Sequence, residues 1–169
     1  MATDSEEIPA VELISALARL DLEAAIAYEA AAGMAGSDAD LGENLRAFAR
    51  DHRGHLEALN ETLEAEGEEA VGPEAGGAGG AGGAGGVLAG LLGLTGPLGP
   101  DVVVVTLLGN EQLTNLAYDA ALSYDWDGET GAMLRRFQQD EERHVAWLAD
   151  KHERLGAERE PPPGPTPSA

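Results

Sequence analysis

The sequence predicts an all-α protein, a four-helix bundle built from two antiparallel helical hairpins joined by a long crossover. Three observations predict it. Apolar residues recur at three- and four-residue steps in four long segments, and no stretch alternates convincingly as a strand. These segments form two pairs with short internal links, separated by a glycine-rich run. The two pairs also resemble each other at a nearly constant offset, the mark of an internal repeat.

The first helix is predicted from about Ile8 to Met34, with Pro9 suited to a first turn. The second runs from about Asp40 to Glu66, with Asp40 and Glu43 spaced as a capping box and Gly67 as a stop. The third covers about Asp101 to Tyr124, although Val102 to Val105 alone would pass for a short buried strand. The fourth spans about Glu129 to Leu155 and is expected to end at Gly156. Links of about five residues, around Ala35 to Ala39 and Asp125 to Gly128, make each pair an antiparallel hairpin. A helix of about 26 residues is roughly 40 Å long, and the long connection between the pairs can return over that distance.

One domain is expected over residues 1–160, with a Gly-rich crossover linker at about 67–100 and a disordered Pro-rich tail at 161–169. The apolar segment Val87 to Leu94 needs cover, either as a short helix over the groove between hairpins or as a subunit contact.

Across 169 residues, 10 Lys and Arg stand against 31 Asp and Glu, a formal charge of −21, and Lys151 is the single lysine. No basic face for phosphate can be assembled, which excludes a nucleic-acid partner and disfavours an anionic membrane. Such acidity also suits solubility in a very salty, halophile-like cytoplasm. The acidic start, Met1 to Glu7, is unlike a secretory signal and points to a cytoplasmic chain. Pro97, Pro100, Asp101 and interior glycines argue against a membrane span at Val87 to Leu108. With no cysteine, disulfides, thiol nucleophiles, cysteine-ligated zinc and iron–sulfur or rubredoxin-type centres are ruled out, so any metal is expected to use Asp, Glu and His.

Each helix stripe is interrupted near its middle by such residues. Helix 1 reads Val11, Ile14, Ala18, Asp21, Ala25, Tyr28, Ala32, and helix 2 reads Leu41, Leu45, Phe48, His52, His55, Leu59, Leu63. Helix 3 reads Val104, Leu107, Glu111, Thr114, Tyr118, Ala121, and helix 4 reads Leu134, Phe137, Glu141, His144, then Trp147 or Leu148, and Leu155. Carboxylates are almost never buried unless paired or bound to metal. In antiparallel hairpins the mid-helix positions meet at one height, so Asp21, His52, His55, Glu111, Glu141 and His144 should converge. Oxygen and imidazole donors without sulfur suit iron or manganese and also accept zinc. His152 is the one histidine left out.

The repeat sharpens this. Asp21 and Tyr28 align with Glu111 and Tyr118 at an offset of 90, and Asp51, His52 and His55 align with Asp140, Glu141 and His144 at 89. A dinuclear site between hairpins is the natural product of that symmetry.

In these residues the chain resembles the ferritin-like superfamily, including bacterioferritins and the bundle domain of rubrerythrins, over about residues 8–66 and 101–155. The resemblance implies one carboxylate from each of helices 1 and 3 and Glu-x-x-His from each of helices 2 and 4. Carried over, Asp21 and Glu111 are terminal ligands, Glu141 bridges, and His55 and His144 each hold one metal. The match is complete at Glu141 and His144. It departs at His52, where a second bridging glutamate belongs, leaving a ferrous pair one unit positive if the imidazoles are neutral. Asp51 or a bound anion would supply the missing charge; the alternatives to a ferrous pair are a single metal, zinc or an empty site.

The implied activity is iron or manganese chemistry with dioxygen or peroxide, ferroxidase- or peroxidase-like, in a protein that is by default a homodimer. Lacking cysteine, it would need an external reductant. The competing expectation is a non-catalytic structural, stress or interaction protein whose site is degenerate, with His52 simply bonded to Glu141 or Asp21. Tyr28 and Tyr118 are read as donors that orient the carboxylates, as redox-active residues beside the metal, or as packed core aromatics with a satisfied hydroxyl. Asp51 and Asp140 are expected on a helix flank, paired with arginine, with Asp51 also a candidate, like the tyrosines, to support a ligand; Trp126 and Trp147 are expected as packing residues.

Overall fold

A computed structural model describes residues 9–73, 92–93 and 99–159. Among them are four long helices, α1 (Ala10–Gly33), α2 (Ala39–Ala65), α3 (Pro100–Leu122) and α4 (Gly128–Arg159), and no strand. The Val102–Val105 run is helical, because β-branched residues still form helix when one face is buried, here Val103 and Val104. The glycine run from Gly76 to Gly86 and the tail at 161–169 lie outside the described residues.

Two boundaries differ from expectation, the start of α2 and the end of α4. Asp38, not Asp40, caps α2, its Oδ1 accepting from the Leu41 backbone N–H at 2.9 Å. Asp127 does the same for α4, accepting from the N–H groups of Glu129 and Thr130. The helix α4 also continues through Gly156 to Arg159, since a glycine lowers helix propensity without ending a helix held by its preceding turns. Gly67 does stop α2. Its φ of +81° is the left-handed conformation glycine tolerates, and the Glu68 N–H turns back to the Leu63 carbonyl at 2.9 Å. Beyond it the chain is pinned to α2 by a reciprocal pair, with Asn60 Nδ2 donating to the Val71 carbonyl and the Val71 N–H donating to Asn60 Oδ1.

Helix α1 packs mainly on α2 and α3 on α4, with lesser contacts of α1 on α3 and α2 on α4. Cross-helix bonds give the directions. Tyr28 and Tyr118 reach Glu111 and Asp21 in crossed order, so α1 and α3 are antiparallel. His144 and His55 reach Asp51 and Asp140 likewise, so α2 and α4 are antiparallel. With α1 antiparallel to α2 as well, α2 and α3 point the same way.

The interior has two apolar ends and a polar middle. One end gathers Ala24, Ala31, Leu41, Leu45, Phe48, Leu92, Val104, Leu107 and Leu148, and the other Ile14, Leu17, Ala18, Leu59, Leu63, Ala121, Leu134 and Phe137. Between them the same helix faces carry Asp21, His52, His55, Glu111, Glu141 and His144, all buried. The apolar layers exclude water from this polar one, which raises the cost of every charge left unmatched there.

Candidate metal centre

All six predicted ligand-type side chains come together. They form two overlapping groups, Asp21, His52, His55 and Glu141, and His52, Glu111, Glu141 and His144. In each group one donor atom per residue lies within 4.8 Å of the others. His52 and Glu141 belong to both groups, and they are the two positions that the repeat relates. His152 is exposed and apart from them.

The supporting shell obeys the same two-fold relation, and every member reaches across to the other hairpin. The Tyr28 hydroxyl donates to Glu111, and the Tyr118 hydroxyl donates to Asp21 Oδ2 at 2.5 Å. Both tyrosines therefore orient carboxylates while also filling the core. Nε2 of His55 lies 3.2 Å from Asp140 Oδ2, and Nε2 of His144 lies 3.1 Å from Asp51 Oδ2. Arg143 ties the two aspartates together. The ring of His55 stacks on Phe137 and that of His144 lies against Phe48, both at 4.1 Å between centroids.

Asp51 and Asp140 thus pair with arginine as expected, and they also hold the outer nitrogens of two histidines. The sequence suggests such a supporting role for Asp51 but not for Asp140, and sequence reading missed Phe48 and Phe137 as ring supports. The signal was present, because Phe48 and Phe137 stand at the same offset of 89 as the histidines they serve.

Those outer hydrogen bonds decide which way the imidazoles face. When a carboxylate accepts from Nε2–H, the neutral ring presents the lone pair of Nδ1 inward, the usual backing of a histidine that ligates metal. Nδ1 of His55 indeed lies 3.2 Å from Asp21 Oδ1 and 3.5 Å from Glu141 Oε1, and Nδ1 of His144 lies 3.4 Å from Glu111 Oε1.

Without metal, protons take up the negative charge. Burial disfavours an imidazolium at His52, but the Glu141 charge and hydrogen bonds to Asp21 and Glu111 outweigh it and raise its pKa well above the ordinary value. Burial likewise opposes the raised pKa of His55, which the hydrogen bond to Asp21 and the Glu141 carboxylate 3.5 Å from Nδ1 bring to about 9. His144 is raised by Asp51 and Glu111 against the same opposition. Burial works to raise Asp21 and Glu111 too; their histidine partners more than offset it and hold both below the normal carboxylate range. Glu141 goes the other way, to about 7, because burial and the neighbouring Glu111 outweigh its histidines.

This network does not satisfy itself. Both oxygens of Glu141, Oε2 of Glu111 and Nδ1 of His144 are buried without a hydrogen-bond partner in the protein. Each is an atom that a cation can use, and all belong to one of the two groups of donors. Buried polar atoms are rarely left in this state, so the residues present fit a bound cation.

Scans of family models, curated proteins and solved structures return no match to this chain.

Proposed function

We propose that the protein is a ferritin-like metalloprotein that binds iron or manganese, with zinc as an alternative, in the middle of its bundle. The observation that carries this reading is the pair of buried donor groups sharing His52 and Glu141, with Glu141 offering two unpartnered oxygens at their junction. The parallel run of α2 and α3, which needs a connection as long as the bundle, agrees with the ferritin-like arrangement.

Asp21, His55 and Glu141 would hold one side, and Glu111, His144 and Glu141 the other. Bound iron or manganese would supply one-electron exchange with dioxygen or peroxide, in the manner of a ferroxidase or peroxidase. The protein's own share is to present neutral Nδ1 atoms, fix them through Asp51 and Asp140, and orient Asp21 and Glu111 through the two tyrosine hydroxyls. Apolar layers on either side keep the centre dry. The three histidines and Glu141 must shed protons as metal enters, so uptake is coupled to proton release.

A second reading, a structural or interaction protein with a degenerate site, has one observation in its favour. Both ring nitrogens of His52 lie within hydrogen-bond distance of carboxylates, at 2.9 Å from Asp21 and 3.1 Å from Glu111, which suits an imidazolium without metal. Elemental analysis of protein purified without chelator, then ferrous oxidation assays on wild type and Glu141→Ala, separates the two. Stoichiometric metal, with oxidation lost in the variant, is expected. Protein lacking metal and inert towards ferrous iron would leave only the second reading.

Among the described residues no helix is long and apolar enough to cross a membrane. Leu113 and Leu116 of α3 are 67% and 61% exposed, one turn apart, and the same helix lends Ala117 to an apolar groove lined also by Leu13, Leu20 and Tyr124. This face supports the proposal of a homodimer.

A further inference from the structure

We propose that His52 bridges the centre through its ring, giving one nitrogen to each of two ions, and so takes the place of the second bridging carboxylate. The inference rests on the metal-centre reading and adds to it both a nuclearity and a role for the one residue that departs from the expected ligand pattern.

Its first support is direction. Nδ1 of His52 lies 2.9 Å from Asp21 Oδ1 and 3.5 Å from Glu141 Oε1, within the group that contains His55. Nε2 lies 3.1 Å from Glu111 Oε1, within the group that contains His144. The two faces of one ring therefore serve the two halves of the site.

The second support is contrast with the other imidazoles. His55 and His144 each spend Nε2 on an aspartate outside the ligand set and turn only Nδ1 inward. His52 has no such outer anchor, since both of its hydrogen-bond partners, Asp21 and Glu111, are themselves candidate ligands. Stacking against the Tyr28 ring, 5.4 Å away and 18° from parallel, holds it in this plane.

The third support is charge. An imidazole bound to a cation at each nitrogen carries neither ring proton and counts as one negative charge, the released protons going to solvent. With Asp21, Glu111 and Glu141 it makes four negative charges against two divalent ions. The shortfall of one unit left by a neutral His52 disappears, with no need of Asp51 or an added anion. Asp51 is in any case engaged with His144 and Arg143.

Cobalt(II) is a suitable probe, being divalent, at home with nitrogen and oxygen donors, and visible by both absorption and paramagnetic NMR. Full-length protein titrated with cobalt(II) should bind two ions. Its hyperfine-shifted proton spectrum should show two solvent-exchangeable ring N–H signals, from Nε2–H of His55 and His144, and none from His52. Among variants checked for helicity by circular dichroism, His55→Ala and His144→Ala should each weaken one binding step about tenfold or more. His52→Ala should weaken both steps, and His52→Glu should restore two-ion binding. Two bound ions with a third exchangeable ring signal, or one step alone weakened in His52→Ala, overturns the bridge and leaves the metal centre standing. Uptake of a single ion does the same. No uptake at all removes the metal-centre reading itself.

Discussion

Nε2 of His144 on α4 lies 3.1 Å from Oδ2 of Asp51 on α2, so a residue of the first hairpin sets the ring orientation of a histidine in the second. Its counterpart, Asp140 with His55, runs in the opposite direction between the same helices. Removing such a carboxylate frees a ligand to rotate and lowers its basicity, typically weakening metal binding by about 10–100-fold. Asp51→Ala should therefore weaken the half of the centre held by Glu111 and His144, and Asp140→Ala the half held by Asp21 and His55. Competition with a chromophoric chelator measures both steps; equal losses in the two halves of either variant would contradict the pairing.

Metal-free protein should lose stability as pH rises from mildly acidic to alkaline. The folded-state pKa of His55 is raised from 6.5 to about 9, so its contribution is complete below 6.5 and is lost as pH climbs through about 9. A shift of that size corresponds to something on the order of 3 kcal/mol. Glu141 acts with the same sign, since a carboxyl raised from 4.5 to about 7 penalises the fold increasingly over that interval. Thermal melts in chelator at several pH values between 5 and 9.5 test this, and a flat or rising profile is the contrary result. Saturating divalent metal should raise Tm most at the alkaline end, where the site is already deprotonated.

Lys151, the single lysine, is 6% exposed and binds Asp38 at 2.7 Å and Asp40 at 3.1 Å, tying α4 to the start of α2. Asp38 also caps α2, so the ion pair and the cap share one carboxylate. Lys151→Met should cost about 1–2 kcal/mol, moderated because Asp40 is exposed. Denaturant unfolding gives the magnitude. Metal stoichiometry should stay as in wild type, because the pair lies at the end of the bundle, away from the ligands.

The exposed Leu113 and Leu116 provide a test of the proposed homodimer. Light scattering on the eluting peak should give twice the chain mass for wild type and the chain mass for the double variant Leu113→Asp, Leu116→Asp, with helicity unchanged. A wild-type monomer at micromolar concentration would dispose of the dimer.

By itself the sequence determined the four helices and which face of each turns inward, because burial follows the 3.6-residue period and period is a property of one chain segment. Every residue of the α2 stripe from Leu41 to Leu63 is buried, and so are all six candidate ligands. Their mid-helix positions in antiparallel hairpins also placed those six at one level. Contacts across helices were a different matter, for they depend on rotation, register and rotamer, none of which periodicity contains. Only the tertiary structure decided that Asp51 and Asp140 back histidines of the opposite hairpin, that Tyr28 serves Glu111 while Tyr118 serves Asp21, and that Asp38 in place of Asp40 opens α2. It also decided the bearing of His52. A one-dimensional pattern could say that an imidazole stands where a carboxylate was expected, but the ring turns its two nitrogens towards Asp21 and Glu111 because those residues approach it from different helices.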